Sequence, residues 1–168
     1  AKLTGWHIPF ELPVVAKFVQ QLPFKLTNAQ RIAAWDIIQD LEKKTPMNRL
    51  LQGDVGSGKT VVAEYGIYRA RERGLKCVYT SPIKTLSNQK FCEFKAKYGE
   101  SVGIITGDVK FNPDAMCVIM TTEILLNKLY QLGADANKTK IETNNFIALP
   151  PFRFFTFLIY YKQVEETL

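Results

Sequence analysis

An eight-residue stretch, Gly53-Asp54-Val55-Gly56-Ser57-Gly58-Lys59-Thr60, constrains the fold of this chain more than any other feature. It matches the pattern G-x-x-x-x-G-K-[ST] and lies between a predicted strand, Asn48–Gln52, and a predicted helix, Lys59–Arg73. Glycines allow such a loop to wrap its backbone N–H groups around phosphate oxygens, and the following helix adds the positive end of its dipole. The pattern therefore predicts a phosphate-binding loop at a strand-to-helix turn.

Two side chains of this loop have the chemistry that a nucleoside triphosphate requires. The Lys59 ammonium can reach the β- and γ-phosphates, and the Thr60 hydroxyl is suited to ligate Mg²⁺. We therefore predict that the loop binds ATP with Mg²⁺ and that Lys59 and Thr60 act in catalysis. The alternative is a chance match in a glycine-rich turn, and the flanking strand and helix argue against it.

Strand and helix patterns alternate along the chain after the phosphate loop. Strands are predicted over Lys76–Ser81, Val102–Ile105 and Met116–Met120, and helices over Lys84–Tyr98 and Thr122–Leu132. Strands that alternate with helices form right-handed βαβ units and a parallel sheet. Ligands of such sheets bind at the carboxyl ends of the strands, so the functional loops are expected there.

Two further helices are predicted before the phosphate loop. Val14–Leu22 has the apolar spacing of a helix that stops at Pro23, and Thr27 opens a second helix that runs to about Lys43. The apolar positions of the second helix predict one wide buried face, with Trp35 in the core. Those positions are Ile32, Ala33, Trp35, Ile37, Ile38 and Leu41, and Trp6 is expected in the core as well.

The length of the chain, 168 residues, suits one domain with a real core. We expect residues 1–22 to form an N-terminal lead-in and helix, and residues 23–168 to form one α/β lobe. Residues 133–168 show the weakest pattern: a polar loop is expected over 133–145, and a strand over Phe154–Tyr161.

Composition excludes several classes of protein. Hydrophobic residues make up 46% and charged residues 23%, which is typical of a globular domain. No apolar stretch approaches the roughly 20 residues that span a bilayer, and no signal peptide opens the chain, so no membrane association is expected. The three cysteines, Cys77, Cys92 and Cys117, lie in apolar runs and are expected to be reduced core thiols of a cytoplasmic protein, or a nuclear one in a eukaryote.

The formal net charge of +6 suits a polyanionic partner. One basic cluster stands out near the end of the helix that follows the phosphate loop. Because cations are favoured at helix C-termini, we interpret this cluster as a solvated helix end rather than a binding patch. It comprises Arg69, Arg71, Arg73 and Lys76.

Three segments in the first third of the chain carry a family resemblance: Gly5–Phe10 (GWHIPF), Leu22–Gln30 (LPFKLTNAQ) and Pro46–Gln52 (PMNRLLQ). Together with the phosphate loop they resemble the RecG family of DNA helicases over residues 5–63. The resemblance implies that the Gln30 amide contacts adenine, since an amide can donate and accept at once. A local alternative is open, because Thr27 and Gln30 also have the spacing of a capping box at a helix start.

Four later segments carry a second resemblance: Thr80–Lys90 (TSPIKTLSNQK), Thr106–Val109 (TGDV), Asn112–Ala115 (NPDA) and Met120–Leu125 (MTTEIL). Over residues 76–130 they resemble the Ski-type RNA helicases associated with the exosome. Both families belong to helicase superfamily two. The resemblances therefore imply the first RecA-like lobe of a helicase, a single P-loop domain whose mostly parallel sheet is flanked by helices and incomplete at its C-terminus.

The resemblance also implies that three loops contact the backbone of a single nucleic-acid strand. The first of these loops leaves a strand and enters a helix, so its N–H groups, hydroxyl and amine can hold a phosphate. In the third loop, an ordinary helix N-cap is the alternative for the threonines. The residues concerned are Ser81, Pro82 and Lys84, then Thr106, Gly107 and Asp108, then Thr121, Thr122 and Glu123.

A helicase motor needs a pair of acids to hold Mg²⁺ and polarise water, and the sequence contains no D-E-x-H or D-E-x-D box. Glu165 and Glu166 are the nearest acids after the last predicted strand. The second RecA-like lobe, expected in the same chain of an intact protein or in another, is not found either. We therefore predict a helicase lobe that binds ATP and single-stranded or branched DNA or RNA but does not hydrolyse ATP alone. The alternative is a non-catalytic P-loop module that binds nucleotide or nucleic acid.

Overall fold

The computed structural model describes residues 7–45, 47, 49, 51, 53, 54, 56–135 and 154–158. The helices of this part of the chain are α1 (Leu12–Gln20), α2 (Asn28–Leu41), α3 (Lys59–Glu72), α4 (Lys84–Tyr98) and α5 (Thr122–Asp135). Its strands are β1 (Lys76–Ser81), β2 (Val102–Ile105), β3 (Lys110–Phe111), β4 (Cys117–Thr121) and β5 (Phe154–Leu158). A single turn of 3-10 helix, Gly99–Ser101, precedes β2.

The five strands form one sheet in the order β3-β2-β4-β1-β5. All neighbouring strands are parallel except β2 and β3, which form an antiparallel pair. In the register of β1 and β4, Ser81 lies opposite Thr121, and in that of β2 and β4, Ile105 lies opposite Met120. The carboxyl ends of three adjacent strands therefore meet at one edge of the sheet.

The two faces of the sheet bury different sets of side chains because alternate residues of a strand point to opposite faces. Tyr79 and Ile119 belong to the larger core cluster, which also includes residues of helices α1 to α3 and Phe94 of α4. Val78 and Met120 belong to a smaller cluster with Leu125 of α5. Helix α5 thus covers the face opposite the other four helices.

The helices and strands follow the predicted alternation closely. Of the predicted strand Asn48–Gln52, three residues lie outside the described residues, and only Arg49 and Leu51 are described. The side chain of Arg49 bonds to Asp36 and Asp40 of α2. The sheet also contains β3, a two-residue strand that the sequence pattern did not predict, because two residues are too few to show a period.

Residues 7–11 form an ordered strap across α2 and α3. The Ile8 N–H donates to the Leu41 carbonyl at 2.8 Å, and the Ile8 side chain is buried. Arg69 of α3 is only 1% exposed, donates to the Pro9 carbonyl at 2.5 Å and pairs with Glu11 at 3.2 Å. The prediction of a solvated basic cluster is therefore wrong for Arg69, because the strap covers it.

Two predictions about core residues are also corrected. Trp35 is 47% exposed, because the buried part of α2 lies near Ile37 and Leu41. The Trp35 ring packs edge-on against Phe10. Ile32, one turn earlier on α2, is exposed as well. Trp6 lies outside the described residues.

The three cysteines were all predicted to be core thiols, and this is correct for two of them and wrong for the third. Cys77 and Cys117 are buried and opposite each other in β1 and β4, whereas Cys92 lies exposed on α4. A hydrogen bond to Cys117, together with burial, raises the pKa of the Cys77 thiol well above its ordinary value. Of the helices described, none combines the length and apolar character that crossing a membrane requires.

Candidate nucleotide and nucleic-acid site

The phosphate loop ends at the start of α3, as the sequence predicts. Gly56 and Gly58 have φ angles of 81° and 80°, which only glycine adopts without strain, and Gly58 is the N-cap of α3. A methyl group on Gly56 would meet nothing within 4 Å, so the loop backbone is open to a ligand at this point. Val55 lies outside the described residues.

The Lys59 side chain folds over the loop to which it belongs. Its Nζ donates to the carbonyl oxygens of Gly53 at 2.5 Å and Asp54 at 2.6 Å. The Ser57 hydroxyl lies 3.4 Å from the same Nζ. Oxygen atoms of the protein therefore hold the lysine charge over the loop. A phosphate oxygen bound in the loop would contact the ammonium group at this position.

These residues fit a bound nucleoside triphosphate with Mg²⁺. The loop offers an ammonium group, glycines that allow close approach of the backbone, and the start of a 14-residue helix. Thr60, half-buried in the first turn of α3, supplies a hydroxyl oxygen of the kind that Mg²⁺ prefers. The donor set thus suits a polyphosphate, and the Thr60 oxygen suits its metal ion.

Gln30 forms the capping box, one of the two arrangements that the sequence left open to it, and it also contacts the phosphate loop. Its Oε1 accepts from the Thr27 N–H at 2.9 Å, and its own N–H donates to the Thr27 hydroxyl at 3.2 Å, which is a complete capping box. The remaining amide group, Nε2, donates to the Ser57 carbonyl at 2.9 Å. A side chain at Gly58 would overlap this Nε2, so Gln30 and the phosphate loop are in close contact.

Arg49 is a residue of this site that the sequence analysis missed. Its Nε donates to Asp40 at 2.7 Å and its Nη1 to Asp36 at 3.1 Å, so the chain leading into the phosphate loop is bonded to α2. The hydrogen bond from Arg49, with a second one from Lys43, holds the pKa of Asp40 below its ordinary value. Only the spacing of two acids on one helix face, four residues apart, could have indicated this contact.

The three loops predicted to contact nucleic acid meet at the carboxyl edge of the sheet. Ser81 ends β1 directly opposite Thr121, which ends β4. Thr106 follows Ile105, whose partner in β4 is Met120. The sheet register therefore brings the three loops side by side.

Within this edge, three of the predicted hydroxyl side chains are buried, and two of those form hydrogen bonds inside the protein. The Ser81 hydroxyl lies 2.6 Å from that of Ser87 in α4. The Thr106 hydroxyl accepts from the Val109 N–H at 3.1 Å and closes the turn between β2 and β3. Thr121 is buried in the position immediately before α5, and Thr122 is half-buried in its first turn.

Exposed groups lie around these buried hydroxyls. Lys84 Nζ donates to Asp108 at 2.5 Å and thereby joins the first loop to the second. The lysine lies across Gly107, where a methyl group would come within 3.3 Å of Nζ. Pro82 and Glu123 are exposed at the same edge.

Comparison with known proteins gives a consistent family. The sequence model of the DEAD/DEAH box helicase family matches residues 27–149. The chain is 50% identical over 110 residues to the antiviral helicase SKI2 of Saccharomyces cerevisiae, covering 61% of this chain and 8% of that protein. It is 41% identical over 121 residues to the probable helicase HelY of Mycobacterium leprae, a match that covers 71% of this chain and 12% of that protein. The chain thus spans about a tenth of the length of these curated relatives.

Solved structures agree with the sequence relatives. The structure of RecG bound to a three-way DNA junction matches 72% of this chain and 19% of that chain, with a TM-score of 0.62 and 34% identity. The crystal structure of a hypothetical ATP-dependent RNA helicase from Sulfolobus tokodaii matches 73% of this chain and 37% of that chain, with a TM-score of 0.51. Because the two sequences are only 20% identical, this match shows a similar fold alone. Both resemblances seen in the sequence, to RecG and to Ski-type helicases, and the RecA-like fold are confirmed.

Proposed function

The chain belongs to the DEAD/DEAH box helicase family, and from this membership we propose that it is the ATP-binding lobe of an ATP-dependent nucleic-acid helicase or translocase. The lobe binds Mg·ATP through its phosphate loop and the backbone of a single strand through the loops at the carboxyl edge of the sheet. Residues 23–168 constitute the lobe, and residues 1–22 are an N-terminal addition to it. The N-terminal addition packs on the lobe, since residues 7–11 bond to α2 and α3.

One observation carries the nucleotide part of the proposal: the Lys59 ammonium is held over the phosphate loop by the carbonyl oxygens of Gly53 and Asp54. Phosphate oxygens can replace these carbonyls as acceptors, and an ammonium–phosphate contact is charge-assisted and therefore stronger. Contact of Gln30 with adenine requires its amide to exchange the bond to Ser57 for one to the base. The Thr60 hydroxyl then serves as a ligand of Mg²⁺.

The nucleic-acid part rests on the meeting of three loops at one sheet edge. Side chains with N–H, hydroxyl and ammonium groups there suit phosphate contacts, which fix the position of a strand without reading its sequence. RNA and DNA both present this backbone, and the similar RecG structure is that of a protein bound to a three-way DNA junction. We propose single-stranded or branched nucleic acid as the partner, with a second RecA-like lobe to complete the cleft.

Nucleotide binding provides the direct test of the proposal. Lys59→Ala should weaken the binding of ATP in the presence of Mg²⁺ by more than about tenfold, because it removes the charge that faces the phosphates. Lys17→Ala is the matched control, since Lys17 is exposed on α1 and carries the same charge. Titration calorimetry measures both. Equal affinities for Lys59→Ala and the unmodified chain would contradict the proposal.

A further inference from the structure

The Lys84–Asp108 pair belongs to the proposed nucleic-acid interface and joins two of its loops. Lys84 begins α4, and Asp108 lies in the turn between β2 and β3, 24 residues away. The N–O distance is 2.5 Å, and the side chains are 54% and 66% exposed. Both charges therefore remain in contact with water while they are paired.

An exposed ion pair of this kind is weak, because water and salt screen it and two side chains lose freedom to form it. A phosphate can thus replace the Asp108 carboxylate as the acceptor of the Lys84 ammonium. The replacement leaves a carboxylate next to a phosphate, and like charges at this distance repel. With a neutral side chain at position 108, binding of the phosphate would neither break an ion pair nor bring two negative charges together.

We infer that Asp108 competes with the nucleic-acid phosphate for Lys84 and so sets the affinity of this edge for a single strand. The inference rests on the proposed function. Gly107 contributes to the arrangement, because the absence of a side chain lets Lys84 lie across the loop backbone towards Asp108. Asp108 is in this view a residue that limits binding, although it lies within a motif predicted to bind.

Binding of a fluorescently labelled oligouridine, measured by anisotropy, tests the inference. Asp108→Asn should bind about two- to fivefold tighter than the unmodified chain at about 50 mM salt, the range expected for the loss of one exposed ion pair. The gain should shrink at about 200 mM salt, since screening weakens both the pair and the repulsion. Thymidine oligomers of the same length serve as the DNA arm.

Asp114→Asn is the matched control for charge. Asp114 is an exposed acid paired at 3.8 Å with Lys76, at the amino ends of β4 and β1 and thus away from the carboxyl edge. Both variants raise the net charge by one unit. An equal gain in affinity from Asp114→Asn would overturn the inference, because long-range attraction alone would then explain the result.

Lys84→Met separates competition for the lysine from simple repulsion. If Asp108 acts by holding Lys84, then Asp108→Asn gains less affinity in the Lys84→Met background than in the unmodified chain. Equal gains in the two backgrounds would overturn the inference. Weaker binding by Lys84→Met with no gain from Asp108→Asn would overturn it while leaving the proposed interface intact. Unchanged binding by Lys84→Met would refute the interface itself and the inference with it.

Discussion

Gly103, in the middle of β2, is the position where one added methyl group should be most damaging. A Cβ there would overlap the Asn112 carbonyl oxygen and lie 2.9 Å from both the Asn112 carbonyl carbon and the Phe111 carbonyl oxygen, whereas ordinary contact begins at 3.4 Å. All of these atoms belong to the backbone. Gly103→Ala therefore forces β2 and the β3 segment apart.

The neighbouring chain has little freedom to move away from the added group. Asn112 has a φ of 43°, in the left-handed region, and its side-chain amide donates to the Glu100 carbonyl at 2.7 Å. Phe111 is covered by the Lys95 ammonium, 3.8 Å from its ring centre. Overpacking of a core costs about 1–3 kcal/mol, and a weakened β2–β3 hydrogen bond adds about 1 kcal/mol. We expect a total of about 3 kcal/mol.

Thermal unfolding followed by circular dichroism measures this cost. A loss of about 3 kcal/mol corresponds to a fall in Tm of roughly 6–12 °C for a chain of this length. Gly74→Ala is the matched control, because Gly74 has a φ of 65° but nothing within 4 Å of its added Cβ. It should lose only the about 1 kcal/mol of left-handed strain. A fall in Tm for Gly103→Ala no larger than that of Gly74→Ala would refute the steric argument.

Two further outcomes are expected from the same chain. Glu11→Gln should lower the free energy of unfolding, measured in urea, by about 1–2 kcal/mol, because it leaves the buried Arg69 without its carboxylate. Glu72→Gln, on the exposed end of α3, is the control and should change this free energy by less than about 0.5 kcal/mol. In a phosphate-release assay with single-stranded DNA or RNA, the chain alone should show no ATP turnover, since its sequence holds no acid box. Turnover of about one per second, abolished by Lys59→Ala, would show that another residue polarises the water.

The elements with strong local signals were predictable from the sequence to the residue. Helix α4 runs over Lys84–Tyr98 as expected, because Pro82 precedes it and Gly99, with a φ of 60°, ends it. Strand β2, Val102–Ile105, is also as expected, since its four residues are all buried and apolar or small. In both cases the information lies within the segment itself.

Contacts between distant segments were not predictable in this way. Arg69 has the sequence context of a solvated helix end, yet its partners Pro9 and Glu11 lie 60 and 58 residues earlier in the chain. Arg49 likewise bonds to Asp36 and Asp40 of α2, 13 and 9 residues earlier, and no local pattern around it indicates those partners. A periodic pattern describes which face of a segment is apolar, but it does not describe which charged group will lie opposite it.

The candidate site shows the same division between local motif and distant contact. The sequence motif predicts that Lys59 faces the phosphates, and the structure adds that protein oxygens already hold its ammonium group. The Lys84 ammonium is also held by a protein oxygen, that of the Asp108 carboxylate. Each lysine would therefore exchange one oxygen acceptor for another when a phosphate arrives, without losing its hydrogen bonds. Because Lys59 leaves neutral carbonyls and Lys84 leaves a carboxylate, the first exchange favours binding and the second opposes it.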